Sequence, residues 1–336
     1  MLFMVLKKGA TYALVAVSMN LLNGFTGLFS LGQAGFMLIG AYTYAIFTIP
    51  TAQRLAVYQY YNGGLVQFAL PVLVALLLAG VFAALFAFLV GLPVLRLKSD
   101  YLAIATLGFA EIIRAIFQWD KIGNLTNGSN LLRSFPTFTD FNIKNANGDV
   151  VLYLSTTVPF LITGVCVAFI VLLINSSYGR AFKAIRDDET AAEAMGVNLA
   201  RHKMLAFCTS SFFAGVGGAM LAMYANSVQA KSFTTAMTYE VLLMVVIGGI
   251  GSVTGSVISS FLFVTCSEWW LRFLDQEQTI GLWKVPLLRN GFRLVVFSII
   301  IMIVVLFFRQ GIMGSRELPD LFRKRHKLAG KEARKA

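Results

Sequence analysis

Histidine, cysteine, proline and charge are all scarce in this chain. Its two histidines, His202 and His326, fall in basic stretches, and neither has the spacing of a zinc site or of a nucleophile with its base. The three cysteines, Cys166, Cys208 and Cys266, lie singly inside apolar runs. That pattern speaks against a disulfide frame or a metal site and leaves them as small packing residues. Only 13% of the residues are charged, against about 25% in soluble domains. The stretch "GGIGSVTGS" (Gly248–Ser256) is glycine-rich, but it lacks the Lys of a phosphate-binding loop and sits in an apolar run. No nucleotide binding, cofactor, metal or enzymatic chemistry is therefore expected of this chain itself. There is also no basic patch interleaved with stacking aromatics, which argues against nucleic acid as a partner.

What is abundant is apolar sequence, 57% of 336 residues. A bilayer span needs about 20 apolar residues. Runs of that kind lie at roughly 10–29, 31–49, 66–90, 101–119, 151–174, 203–225, 237–250, 253–272 and 291–309. The fold expected is an all-α, polytopic transmembrane bundle of about eight to nine membrane segments, some broken or re-entrant. Residues 1–310 form the membrane domain, and 311–336 form a basic cytoplasmic tail resting near anionic lipid headgroups. The first run reads as a retained span, since no small-residue cleavage site follows it.

The net charge of +12 has a topological reading. Lys and Arg concentrate at 7–8, 91–100, 175–203 and beyond 309, which places the loops 91–100 and 175–203 and the tail in the cytoplasm. The loop 120–150 is polar with balanced charge and fits the outer side. Three runs between the N-terminus and residue 91 then pose a parity problem. Either the N-terminus is outside, or one of the first two runs is re-entrant. The second is preferred, because "NLLNGFTGLFSLGQAG" (Asn20–Gly35) carries four glycines, two asparagines and a glutamine, and irregular backbone at membrane depth survives where protein buries it or where it lines a cavity. A second glycine break lies at Val245–Val257. Paired breaks, one in each half of a chain, point to a transporter's substrate path, and close packing through small residues is the alternative. The candidate path residues are Ser30, Gln33, Gly248, Gly249, Gly251 and Ser252.

Two charges interrupt the run 101–119. Glu111 and Arg114 are three apart and so share a helix face. They read either as an ion pair that fixes helix packing or as a polar element of the path or its gate; charges at this depth are costly and usually functional.

The internal loop "SYGRAFKAIRDDETAAEAMGVNLARHK" (Ser177–Lys203) resembles a soluble amphipathic sequence. Phe182, Ile185, Ala192 and Met195 recur at helical spacing. Asp187 or Asp188 is suited to N-cap a helix from Glu189 to Met195, with Gly196 ending it and Asn198 capping the next helix. Two short helices are expected. A helix lying flat on the membrane is one reading, but the acidic centre fits docking into a protein groove better.

Together these stretches resemble the branched-chain amino acid ABC transporter permeases. "GRAFKAIRDDETAAEAMGV" is similar to that family's cytoplasmic coupling segment. "GLFSLGQAGFMLIGAYTYA" (Gly27–Ala45), "YLAIATLGFAEIIRAI" (Tyr101–Ile116) and "SFTTAMTYEVLLMVVIGGIGSVTGS" (Ser232–Ser256) are similar to three further family segments, in the same order. The likeness is greatest to the M-type permease of Leu/Ile/Val uptake, with the urea permeases nearest beside it. In the general importer signature a Glu stands six places before the Gly; here Thr190 occupies that place and Glu189 precedes it.

The resemblance implies an inner-membrane permease subunit working with two ATP-binding cassette ATPases, a second homologous permease and an extracytoplasmic substrate-binding protein. It places ATPase coupling at Arg186, Asp187, Asp188, Glu189, Ala191, Ala192, Glu193, Met195 and Gly196. An ion-coupled transporter using Glu111 is the competing class, and a membrane-embedded enzyme the least supported.

Overall fold

The structure is a computed structural model. It describes residues 2–61, 63–97, 99–144, 150–152, 154–270, 279–280, 283–284, 302, 311–314 and 317. The expected run 291–309 and most of the expected tail lie outside the described residues.

Twelve helices run through the described residues: α1 (Leu2–Asn20), α2 (Gln33–Thr48), α3 (Thr51–Val57), α4 (Val72–Val94), α5 (Ser99–Gln118), α6 (Gly123–Thr126), α7 (Leu154–Asn175), α8 (Ser177–Asp187), α9 (Glu189–Ala194), α10 (Leu199–Ala225), α11 (Thr235–Gly248) and α12 (Val253–Thr265). A π-helical turn extends α1 over Leu21–Phe25, and another extends α12 over Cys266–Trp270. Five helices are long and apolar enough to cross a membrane: Leu2–Phe25, α4, Tyr101–Gln118, α7 and α10. α11 and α12 are shorter apolar helices, and α2 is 16 residues and almost wholly buried. The chain is thus a polytopic helical membrane bundle. Its only strands among the described residues are two minimal antiparallel pairs, Ile143–Lys144 with Val150–Leu152 and Thr279–Ile280 with Trp283–Lys284.

α1, α2 and α10 form the centre. α1 is encased by α7, α10, α11 and α12, while α2 packs on α4 and α10. Glycine permits the tightest crossing. A Cβ on Gly40 would lie 2.0 Å from the Gly215 carbonyl oxygen, and one on Gly218 would lie 1.9 Å from that of Met37. With little hydrophobic drive between helices inside lipid, such close approach through small residues is how they associate.

Contacts at the two ends of α1 settle the parity question. Near its start, Lys7 Nζ donates to Ser155 Oγ at 3.0 Å, at the first turn of α7, and Lys8 pairs with Glu268 at the far end of α12. Near its finish, Gly24 touches α8. So α1 runs the full height of the bundle, and its start shares an end with residues 120–144. This placement fits an N-terminus at the end opposite α8, and the broken segment expected in one of the first two runs is the second, where residues 26–32 are non-helical and α2 covers only Gln33–Thr48. Lys7 and Lys8, counted by sequence among the cytoplasmic cations, are instead at the end opposite α8 and α9.

The glycine break survives as the start of a short helix. Residues 26–32 are non-helical and turn back into the bundle. Leu31 N–H donates to Thr106 Oγ1 at 3.0 Å, about two turns inside α5, and Ala34 N–H donates to Thr238 Oγ1 at 3.2 Å in the first turn of α11. α11 is itself preceded by a stretch with no more than one 3-10 turn, Ala230–Ser232, descending from the opposite end. There Val228 exchanges backbone hydrogen bonds with Leu132, and Ala230 N–H donates to Tyr42 Oη at 2.9 Å. Two half-length helices therefore start within the bundle, entered from opposite ends. The second entry, 226–234, was hidden in the sequence because the glycine signal lies further on, at 249–251.

Outside the bundle, Arg54 organises the connection 49–71. It is 1% exposed. Its guanidinium donates to Ile46 O at 3.0 Å, Phe68 O at 2.8 Å and Val66 O. The first of these is an end-of-helix carbonyl of α2, which lacks an intrahelical partner. Burial pulls its pKa down, yet an arginine stays charged in proteins.

Candidate functional site

The loop Ser177–Lys203 folds as two helices, as its pattern predicts. Ser176 Oγ accepts from Tyr178 N–H to start α8. Of the two possible caps for α9 it is Asp188, whose Oδ1 accepts from Thr190 N–H at 2.8 Å and Ala191 N–H at 3.0 Å. α9 ends in a Schellman pattern. Gly196 N–H donates to Glu193 O and Val197 N–H to Ala192 O, with Gly196 at φ +85°. Asn198 Oδ1 then caps α10 by accepting from Arg201 N–H at 3.0 Å.

The inward face of the pair is Phe182, Ile185 and Ala192, all buried. Met195, grouped with them by spacing, is instead 85% exposed, because the chain has already left the helix there. Asp187, Asp188, Glu189, Ala191, Glu193 and Gly196 are exposed as well. Lys203 at the base of α10 holds Glu189 at 2.6 Å. The residues proposed for ATPase contact thus divide. Ala192 supports the helix pair from within, Arg186 meets the membrane bundle, and the other seven form the outer tip.

Arg186 is where the loop meets the membrane bundle. Its Nε and Nη2 both bind Asp187 Oδ1, at 3.1 and 3.0 Å, leaving Nη1 to donate to Gly24 O at 3.2 Å. Its aliphatic stem covers Gly27, where a Cβ would come within 2.9 Å of Arg186 Cγ and where φ is +75°. Nη1 would also lie 3.4 Å from a Cβ at Gly251. Beside it, Lys183 places its ammonium 5.7 Å from the centroid of the Phe25 ring, a cation–π contact. One arginine therefore bonds to the first glycine break and lies beside the second.

Asn20, fully buried, fastens those breaks to each other. Its Nδ2 donates to Ser252 O at 2.8 Å, Ser256 Oγ at 2.7 Å and, longer, Gly249 O at 3.4 Å, while Oδ1 accepts from Gly251 N–H at 2.8 Å. The turn between α11 and α12 needs its glycines, with Gly249 at φ +116° and Gly251 at +87°. A Cβ on Gly248 would strike the Gly255 backbone at 2.5 Å. Gly248, Gly249, Gly251 and Ser252 are thus packed at the α8 end of the bundle, in a junction with Arg186.

Ser30 and Gln33 belong to a separate, deeper cluster. Both are buried. Ser30 N–H donates to Asn23 Oδ1 at 3.1 Å, Gln33 Nε2 donates to Ser18 Oγ at 2.8 Å, and Ser210 Oγ donates to Ser18 O at 2.6 Å. Glu111 and Arg114 pair with one another on α5, Arg114 Nε donating to Glu111 Oε2 at 2.7 Å, each side chain about one-third exposed. The eight residues grouped by sequence as one path therefore occupy three places: the junction, the interior polar cluster and the flank of α5.

Sequence reasoning passed over Asn20 as an individual residue and missed Glu317. Asn20 carried a signal, a lone amide in an apolar run. Glu317 stands near the basic tail, where nothing marks it out. Among the described residues no group of His, Cys, Asp and Glu is arranged to hold a metal ion.

A family model described as "Branched-chain amino acid transport system / permease component" matches residues 1–310. The chain is 34% identical over 277 residues to the high-affinity branched-chain amino acid transport system permease protein LivM of Escherichia coli (strain K12), a match covering 76% of this chain and 60% of that protein. It is 26% identical over 274 residues to the probable LivM permease of Methanocaldococcus jannaschii, covering 75% of this chain and 76% of that one. The Escherichia coli (strain K12) LivH permease matches at 22% identity over 327 residues, with 92% and 93% covered. The chain thus spans about three-fifths of the length of the most similar of these relatives, and no solved structure matches it. With the helical membrane bundle and the family match over residues 1–310 in agreement, the chain belongs to the permease components of branched-chain amino acid transport systems.

Proposed function

We propose that this chain is the M-type permease subunit of an ABC importer for branched-chain amino acids, with the tip 187–196 as the docking site of a partner ATPase. The observation that carries the coupling reading is Arg186: it lies on the loop that would dock, bonds to Gly24 in the first glycine break and lies beside Gly251 in the second. A push on α8 would reach α1 and the α11–α12 turn without passing through flexible chain. The two would then move as one body, and differential binding of ATP states by the ATPases would shift the permease between two access states.

The loops 91–100 and 175–203 would be cytoplasmic by their Lys and Arg content, in a chain residing in the inner membrane. The substrate class rests on the likeness to the LivM and LivH permeases. Two ATPases, a second homologous permease and an extracytoplasmic binding protein complete the assembly. The interior cluster around Ser30 and Gln33, where the half-helices α2 and α11 begin, is the proposed polar element of the path. Half-helix starts of this kind border substrate in discontinuous transporters. The pairing of Glu111 with Arg114 tells against the ion-coupled alternative, which needs that carboxylate available to a proton or sodium ion.

The test is reconstitution of the chain with its partner permease, candidate ATPases and binding protein in proteoliposomes. ATP-dependent leucine uptake, absent when the ATPase is omitted, is expected. Uptake without ATPase, or ATPase stimulation only by urea-loaded binding protein, would overturn the reading.

A further inference from the structure

Residues 311–314 and Glu317 lie against the same turn that Arg186 reaches, from another side. Ile312 N–H donates to Ile247 O at 2.8 Å and Met313 N–H to Gly248 O at 3.2 Å. The last four carbonyls of a helix have no partner within it, and these two belong to the end of α11. Glu317 serves the start of α12. Its Oε1 accepts from Val253 N–H at 2.7 Å, and its Oε2 accepts from Thr254 N–H at 3.2 Å and Thr254 Oγ1 at 2.7 Å. Ser252 Oγ takes the next amide, Gly255, at 3.1 Å, and Ser256 N–H is already bonded to Ser252 O. Every one of the first four amides of α12 is thereby satisfied, two of them by a carboxylate 63 or more residues away in sequence. A negative charge at this position also matches the positive end of the helix dipole.

The fit requires bare backbone on both sides. A Cβ on Gly249 would lie 2.4 Å from Gly314 O, and one on Gly311 would lie 2.7 Å from Gly249 Cα. Arg186 and Glu317 also line one cavity of about 680 Å³, together with Gly251 and Thr254.

We propose that residues 311–314 and Glu317 are part of the coupling junction, and that Glu317 is a positioning residue that clamps the start of α12 so that the 249–252 turn moves as a unit when Arg186 moves. Without the clamp, displacement of α8 would open the turn instead of carrying α12 with it. The proposal rests on the importer reading given above.

The experiment uses the full reconstituted importer and compares wild type with E317Q and E317D, reading leucine transported per ATP hydrolysed and the thermal midpoint of the purified complex. Gln replaces one acceptor by a donor aimed at backbone N–H groups. E317Q is expected to lower the transport-to-hydrolysis ratio roughly tenfold, the scale of one lost charge-assisted hydrogen bond, with basal hydrolysis unchanged and the midpoint lowered by only a few degrees, and E317D to restore most of the ratio. A wild-type ratio in E317Q overturns the proposal. So does a fall of ratio with a larger fall of midpoint that E317D does not relieve, which would make the contact merely structural. Should E317Q fail to assemble, E317D alone decides, a near-normal ratio supporting the clamp and a lost one refuting it. If wild type itself shows no ATP-dependent uptake, the importer reading falls first, and the clamp with it.

Discussion

Arg186 and Gly24 are 162 residues apart in sequence and are joined by one hydrogen bond of 3.2 Å from Nη1 to the carbonyl oxygen. That bond, with the stem of Arg186 lying on Gly27, links the extramembrane helix pair to the first broken segment. Since Nε and Nη2 are held by Asp187, the guanidinium is presented edge-on to the glycine backbone, which a lysine ammonium cannot reproduce.

Replacing Arg186 should therefore uncouple the chain. R186A is expected to retain ATP hydrolysis by the assembled complex while uptake drops roughly tenfold or more, given about 1.5–3 kcal/mol for a hydrogen bond from a charged donor. R186K is expected to recover only a small part. Uptake assays in proteoliposomes check this, and wild-type uptake by R186A would refute a coupling role.

Asn20 should matter to stability more than to coupling. Its amide nitrogen faces three acceptors and its oxygen one backbone N–H. N20A loses all four contacts, at about 1 kcal/mol each. N20D should be worse, because it turns a carboxylate toward Ser252 O and Gly249 O in a buried site where an unpaired charge is costly. Thermal unfolding of detergent-purified protein should rank wild type above N20A and N20A above N20D.

The loop tip and loop interior can be separated by charge insertion. Ala192 is 4% exposed and Met195 85%. A192E forces a carboxylate into the contact of α9 with α8 and α10, and overpacking alone costs about 1–3 kcal/mol. It should lower the melting midpoint as well as uptake. M195E should leave the midpoint untouched and weaken ATPase association, measured by co-purification. Equal ATPase recovery with M195E would remove Met195 from the docking surface.

Much of this was legible in the sequence. The caps Asp188 and Asn198 and the terminating Gly196 each act through local chemistry, so their residue types and spacing sufficed. The membrane bundle followed from apolar runs of spanning length. What stayed hidden depends on contacts distant in sequence. The height of α1 was masked by Gly24, which the Leu21–Phe25 turn absorbs within a continuous helix. The second helix entry at 226–234 carries ordinary loop residues. The path residues scattered into three clusters because glycine breaks mark close backbone approach as readily as a ligand route, and only packing separates the two.

The Glu111–Arg114 pair can decide between its two readings. The side chains are a helical turn apart on α5 and bonded to each other, so each removes the other's charge from hydrocarbon. Removing one partner of such a pair leaves an uncompensated charge and is strongly destabilising, whereas removing both is often close to neutral. E111Q and R114Q should each lower the thermal midpoint, and the double variant E111Q/R114Q should recover it, giving a large favourable coupling in a double-mutant cycle. Uptake by the double variant is then the discriminating measurement. If the pair only fixes helix packing, transport returns with stability. If it belongs to the translocation path or its gate, the double variant is stable, still hydrolyses ATP in the complex, and fails to transport. The second outcome is expected, because a pair one-third exposed on the flank of α5 is poorly placed to lock this chain's own helices and well placed to meet a partner permease or an aqueous path.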